Sequence, residues 1–182
     1  MRQAGAAADL IAFWRQAGRR GLWFAKSVVF DRAFRDRFLN LHLATAARRY
    51  DDWMESPSDA LGLLILTDQF PRNAFRGTAH MYATDPLARY YAHYALEAGY
   101  MEQVELELRF FFCLPFAHSE NLCDQDISVR LHATLGQPWL EHAEEHRDII
   151  RRFGRFPHRN AMFGRQNTPE ESEFLLNGGF SG

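Results

Sequence analysis

The run from Ser56 to Pro71, SPSDALGLLILTDQFP, constrains the fold more than any other part of the chain. Its first four residues combine an N-cap serine, a proline in the first helical turn and an acidic residue in that turn, which together predict a helix start. The residues that follow are apolar on every side of the helix, which is typical of a protein interior. We therefore predict a central buried helix from Pro57 to about Phe70, ended by Pro71.

The rest of the sequence also predicts helices, joined by short connectors. Thr84-Asp85-Pro86 and Thr168-Pro169-Glu170-Glu171 are further helix starts. The stretch VELELRF, Val104–Phe110, alternates as a strand would, but Glu and Leu favour helices and no partner strand is evident. We predict a helix there, broken by Leu114-Pro115. The other predicted helices cover residues 6–17, 27–50, 78–83, 86–98, 119–135, 138–153 and 169–177.

The composition is that of a folded protein, since 47% of the residues are hydrophobic and 14% are aromatic. A chain of 182 residues is long enough for one domain with a sizeable core. We predict a single all-α domain over residues 1–182, with roughly eight helices arranged as a bundle or as a stack of helix hairpins. The net charge of −2 argues against a nucleic-acid-binding surface, which would be basic.

Several signals are missing from the sequence. Cys113 and Cys123 are the only cysteines, which favours a reducing compartment over a disulfide framework. The N-terminus does not resemble a signal peptide, and the longest apolar run, Leu61–Leu66, is too short to cross a bilayer. We expect a cytoplasmic protein with no membrane contact. Phosphate loops, GxGxxG, CxxC and GxSxG are absent, so no cofactor is predicted.

The segment Arg151–Arg165, RRFGRFPHRNAMFGR, is the densest group of candidate site residues. It brings arginines, a histidine and an asparagine together around one proline, and its phenylalanines can anchor it to the core. Such a loop can clamp an anion or a carboxylate. It can equally be a structural plug, in which the arginines bind helix ends and loop carbonyls. The residues concerned are Arg155, His158, Arg159, Asn160 and Arg165.

Asp68 ends an apolar helical stripe, and a buried carboxylate there needs a partner such as Arg72, Arg76, Arg109 or an arginine of the 151–165 segment. The pair could fix two helices, or Asp68 could line a pocket as an acid or base.

His118-Ser119-Glu120 marks another helix start, where exposed amides attract anions. His118, Gln125 and His132 would fall on one side of that helix, as a polar line beside apolar residues.

His142 and His146 stand four residues apart on one helical face, a spacing that can bind a metal. The zinc-protease pattern needs a glutamate directly after the first histidine, and this chain has Ala143 there. We therefore predict no metal site and interpret His146 as a core or pocket residue.

Five segments, in this order, resemble the bacterial "domain of unknown function 924" family: LLILTDQFPRNAFRG, the Thr84-Asp85 helix start, LPFAHSE, RRFGRFPHRNAMFGR and TPEE. The resemblance runs from about Leu10 to Leu176. It implies an all-helical, tetratricopeptide-like fold, with Val104–Phe110 helical, and it implies no established activity. The family tends to have glutamate where this chain has Ala117, which weakens any role for an acid at that position.

Three hypotheses follow. The first is a binding module whose Arg- and His-rich pocket takes a small anionic molecule or an acidic peptide end. The second is a hydrolase, possibly metal-assisted, with His118 or His158 as general base, Asp68 or Glu120 orienting it and arginines stabilising negative charge. In the third, the motifs only support folding. The predicted ligand-binding residues are Arg72, Asn73, Arg109, His118, Gln125, His146, Arg155, His158, Arg159, Asn160 and Arg165.

Overall fold

The computed structural model describes residues 5–180, and the regular secondary structure within that range is entirely helical. The all-α prediction is confirmed, including a helix rather than a strand from Leu106 onwards in the VELELRF stretch. Over the described residues we number eight α-helices: α1 (Ala6–Arg19), α2 (Val28–Ala46), α3 (Pro57–Leu64, continuing through a π-helical turn, Ile65–Gln69, into Phe70–Ala74), α4 (Asp85–Glu97), α5 (Leu106–Ala117), α6 (Leu122–Leu135), α7 (Trp139–Phe153) and α8 (Pro169–Leu176). Short 3₁₀ turns cover Asp51–Glu55, Ala79–Tyr82, Met101–Gln103 and Pro157–Arg159.

The chain forms two compact units. The first unit contains the described residues up to Arg76 together with His80–Pro115, and the second contains Gly77–Ala79 with the described residues from Phe116 onwards. A single domain over the whole chain therefore stays a prediction, and each unit is described by itself.

Helix α3 is the buried centre of the first unit, as its sequence predicts. Each residue from Ala60 to Pro71 is buried. The Ser56 hydroxyl accepts a hydrogen bond from the Asp59 amide and so caps the helix start. Helices α1, α2 and α4 pack around α3. A helix without a polar face is stable only when neighbours cover it on all sides, and these three helices supply that cover.

The prediction that Pro71 ends the helix is wrong. The backbone widens into a π-helical turn, in which the Phe70 amide bonds the Ile65 carbonyl, and then continues to Ala74. Proline lacks the amide hydrogen that would bond the carbonyl four residues earlier, which belongs to Thr67. The Thr84 hydroxyl donates to that carbonyl at 2.6 Å. A side chain from elsewhere in the unit thus satisfies the acceptor that Pro71 cannot.

Three other predicted boundaries also change. The predicted cap residue Thr84 makes no side-chain capping hydrogen bond to α4, and its hydroxyl donates to the Thr67 carbonyl instead. Pro115 lies inside α5, which continues to Ala117 instead of breaking. Helix α6 begins at Leu122 with Asn121 as its N-cap, whereas the Ser119 hydroxyl accepts from the Asn121 amide and donates to Asp124.

Aromatic rings fill the rest of the first unit. Trp14 is fully buried and contacts Phe34 and Phe111, each at 5.3 Å between ring centroids. Gly18 allows Trp23 to pack beside them, since a Cβ at Gly18 would lie 2.3 Å from the Trp23 ring. This close approach requires a glycine at position 18, which lies inside α1 because the helix runs past the predicted end at residue 17.

Helices α6 and α7 form an antiparallel hairpin-like pair that organises the second unit. Helix α7 ends at Gly154, which adopts the left-handed conformation (φ 70°) and turns the chain towards the FPHRN segment. Ile149 and Ile150 of α7 are buried with Phe156, and Phe153, Phe174 and Phe180 pack against them. Helix α8 begins with the capping box that the sequence predicts at Thr168 and Glu171.

Candidate functional site

In the first unit, Asp68 lies in a buried charge network. Its carboxylate is 3.2 Å from Arg72 and accepts a hydrogen bond from Gln69 at 2.6 Å. Arg72 also binds Asp85 through both terminal nitrogens, at 2.8 and 3.1 Å. Burial alone would lower the pKa of Arg72, but the two aspartates outweigh it and raise that pKa. Asp68 therefore has the arginine partner that a buried carboxylate needs, within α3, and the bonds from Arg72 to Asp85 join α3 to the start of α4.

Asn73 and Arg109, two predicted binding residues of the first unit, also make internal contacts. Asn73 donates to Asp31 at 2.8 Å, and Arg76 binds the same carboxylate. Arg109 donates to the backbone carbonyls of Glu102 and Val104. The bonds to Asp31 hold the end of α3 against α2, and the bonds of Arg109 hold the turn that precedes α5. Both sets of contacts support the fold.

Three residues of the 151–165 segment are bound by carboxylates of the second unit. Arg155 binds Glu171 at 2.6 and 2.8 Å, and Asn160 donates to the same side chain at 3.2 Å. The hydrogen bond from Arg155 lowers the pKa of Glu171 to about 2. Arg165 binds both oxygens of Glu120, at 2.7 and 2.9 Å. For Arg155, Asn160 and Arg165 the geometry matches a structural plug more closely than an anion clamp.

Glu120 also accepts a hydrogen bond from the Phe156 amide at 2.9 Å. Burial would raise the pKa of Glu120, but the bonds from Arg165 and Phe156 outweigh it and lower that pKa. Both oxygens of Glu120 are thus used on the Arg165 guanidinium and a backbone amide. These contacts give Glu120 a structural role and do not by themselves support the hydrolase hypothesis.

The histidines of the second unit form the more informative group. We call His118, His132, His146 and His158, together with Arg159, the histidine cluster. The residues influence one another's charge: protonation of His118 opposes protonation of His132, His146 and His158, and Arg159 opposes that of His146 and His158. The structure thus brings together four predicted site residues, His118, His146, His158 and Arg159, with His132 of the predicted polar line.

Burial keeps these histidines neutral. It is the largest cause that lowers the pKa of His132 and of His146 to about 4 and that of His158 to about 3. The neighbouring positive charges lower the pKa values further. Near neutral pH His132, His146 and His158 are therefore neutral imidazoles, and the Arg159 guanidinium beside His146 and His158 stays charged.

The hydrogen bonds assign the tautomer of two of these rings. His132 Nδ1 is 2.8 Å from the Ser128 carbonyl, and His146 Nδ1 is 2.6 Å from the His142 carbonyl. A carbonyl oxygen can only accept, so each Nδ1 carries the hydrogen, and the Nε2 of each neutral ring has only a lone pair. The buried Nδ1 of His158 makes no hydrogen bond to the described part of the chain.

Gln125 belongs to α6, and its side chain packs against the C-terminal end of α5 rather than lining an open groove. It is fully buried, and its Nε2 donates to the carbonyls of Ala117 at 2.8 Å and Ser119 at 2.7 Å. The side chain therefore binds carbonyls that the end of α5 leaves without helical partners. Its Oε1 is buried and makes no hydrogen bond within the described chain.

Phe180 also contacts the histidine cluster, although nothing in the sequence predicted it. Its ring contacts His146 at 4.5 Å and His158 at 5.1 Å between centroids. It lies beyond α8, after Gly178-Gly179, where no periodic pattern indicates burial. Only its aromatic character, close behind two glycines that let the chain turn, could have suggested a covering role.

No group of three or more His, Cys, Asp or Glu side chains within residues 5–180 is arranged to hold a metal ion. Nor is any helix of this range long and apolar enough to span a membrane.

Comparisons with known proteins identify relatives without a known activity. A family model described as "Bacterial protein of unknown function (DUF924)" matches residues 10–179. The solved structure of ATU0120, a protein of unknown function from Agrobacterium tumefaciens, is 51% identical, with a TM-score of 0.93. The alignment covers 96% of this chain and 98% of that one. A search of curated proteins gave no significant match.

Proposed function

The chain belongs to the DUF924 family of bacterial proteins of unknown function, and from its site geometry we propose that it is a binding module in which the histidine cluster takes a small anion together with protons. The ligand would be a small molecule or a peptide end that carries a carboxylate or a phosphate. We also propose the tetratricopeptide-like helix stack and the cytoplasmic location expected from the sequence.

The observation that carries the proposal is the tautomeric state of the cluster. Neutral His132 and His146 already use their Nδ1 hydrogens on backbone carbonyls, so each Nε2 can only accept a hydrogen bond. An anion needs donors, and these rings become donors at Nε2 only when they gain a proton. The charge of Arg159 favours an anion over a cation at the same place. Binding is therefore expected to draw protons into the cluster.

His158 supports the same conclusion. Its buried Nδ1 lacks a hydrogen-bond partner in the described chain, and Arg159 is the next residue. A buried polar atom without a partner is costly and is common at functional positions. Protonation of His158 beside an anion would supply a donor and offset the loss of solvation that lowers its pKa to about 3.

Isothermal titration calorimetry with inorganic phosphate and with succinate tests the proposal. We expect saturable binding that tightens from pH 7.5 to pH 6. The heat should differ between buffers of different ionisation enthalpy, because protons are taken up. His158→Gln should reduce that uptake, and Arg159→Gln should weaken binding about tenfold or more, the value of a charge-assisted hydrogen bond.

Arg151→Gln is the matched control, because it removes an arginine that lies on the exposed surface of α7. It should leave affinity unchanged. The proposal is wrong if neither anion binds, if binding proceeds without proton uptake, or if Arg151→Gln weakens binding as much as Arg159→Gln does.

A further inference from the structure

A separate apolar groove lies in the second unit between α7 and α8. The groove has a volume of about 490 Å³, which is within the range of small-molecule sites. Four apolar side chains line it, namely Ile149, Phe153, Phe174 and Phe180. Three of them are aromatic, and Phe153 and Phe174 contact each other at 5.1 Å between centroids. A flat apolar group could stack against such a lining.

The charged side chains of the groove come from one face of α7. Glu145, Asp148 and Arg152 lie at successive turns of that helix and line the groove with the rings. The Arg152 guanidinium lies over the Phe153 ring, 4.6 Å from its centroid, and 5.7 Å from that of Phe174. The positive charge is thus held against the aromatic faces.

The two carboxylates remain available to a ligand. The basic groups paired with them are the His142 ring, 3.7 Å from Glu145, and Arg151, 3.7 Å from Asp148. Both distances exceed the length of a normal hydrogen bond, and both pairs are largely exposed. Two weakly paired carboxylates one helical turn apart, next to an apolar floor, complement a molecule with a flat apolar body and a positively charged end.

We propose that this groove is a second binding site, next to the histidine cluster with which it shares Phe180, and that it takes a small arylalkyl ammonium cation. The aromatic part would lie against Phe153, Phe174 and Ile149. The ammonium group would donate hydrogen bonds to Glu145 and Asp148. An anion is not expected, because the carboxylates would repel it and Arg152 is stacked on the rings.

The test uses two probes of nearly equal size and opposite charge, 2-phenylethylammonium and 3-phenylpropionate. The reporter is the δ1-methyl resonance of Ile149, which lines the groove, followed by NMR during titration. We expect a saturable shift with the cation and an affinity for the anion at least fivefold weaker. In Glu145→Gln/Asp148→Asn, the preference for the cation should fall by about two- to fivefold for each carboxylate.

Glu144→Gln is the matched control, since Glu144 precedes Glu145 on the same helix and does not line the groove. It should bind both probes as the parent protein does. The proposal is overturned if the anion binds as tightly as the cation, if neither probe shifts the Ile149 methyl, or if the double substitution leaves the preference intact. Arg159→Gln should not affect the cation, which separates this site from the histidine cluster.

Discussion

Acidification should destabilise the second unit well above the pH at which carboxylates titrate. An unfolded histidine has a pKa near 6.5, whereas burial lowers the pKa of His132 and of His146 to about 4 and that of His158 to about 3. In the window between these values the unfolded chain binds protons that the folded chain cannot. Stability is therefore complete above pH 6.5 and is lost as the pH falls towards 4.

The size of this effect follows from the pKa differences. A pH of 5 is about 1.5 units below the pKa of each of the three histidines in the unfolded chain. Each unit corresponds to 1.36 kcal/mol. The expected loss is about 2 kcal/mol per histidine, or about 6 kcal/mol for the three. Whole domains are stable by only about 5–15 kcal/mol, so the second unit should open at pH values where its carboxylates are still ionised.

Amide hydrogen exchange of α7, measured from pH 7 to pH 5 in a cationic buffer and corrected for the intrinsic exchange rate, reports the stability of this unit. We expect the opening free energy to fall by up to about 4 kcal/mol per pH unit. His158→Gln should reduce the dependence of the opening free energy on pH by about 1.4 kcal/mol per pH unit, because the unfolded chain then takes up one proton fewer on acidification.

His93→Gln is the control, because His93 is an exposed residue of the first unit. It should leave the slope for α7 unchanged. Constant protection of α7 between pH 7 and pH 5 would contradict this prediction, and so would NMR titration of His132, His146 and His158 near pH 6.5.

Three substitutions test the internal networks through urea unfolding. Glu171→Gln should cost about 2–4 kcal/mol, because it removes the charge that binds Arg155; a loss below 1 kcal/mol would contradict the buried-pair interpretation. Thr84→Val should cost about 1–3 kcal/mol by leaving the carbonyl beside Pro71 without a donor, while Thr84→Ser should retain most of the stability. Arg72→Met should cost about 3–5 kcal/mol, since two largely buried aspartates lose their cation, and a neutral result would show that they are solvated.

The local sequence was sufficient to predict much of the fold. The Ser56 and Thr168 helix starts depend on hydrogen bonds between residues three positions apart, so they can be inferred without tertiary information. The same holds for the buried α3, whose lack of a polar face requires cover. The helical state of the residues after Leu106 followed from the preference of Glu and Leu for helices.

The errors occur where a distant residue alters a local rule. Proline normally ends a helix, but the π-helical turn before Pro71 and the Thr84 hydroxyl together remove the cost of its missing amide hydrogen. Thr84 makes no cap to α4, although its local sequence favours that role. A hydrogen bond between residues 17 positions apart cannot be predicted from a local sequence pattern.

The residue types of the candidate site can be read from the sequence, but whether its arginines bind a ligand or the fold cannot. Tertiary contacts answer that question for two of them, because a guanidinium binds a carboxylate that folding brings near: Arg155 is held by Glu171 and Arg165 by Glu120. Arg159 lies close enough to His146 and His158 to lower their pKa values. The pKa values that define the histidine cluster are likewise tertiary properties, since they depend on burial, and burial is a property of the packed chain.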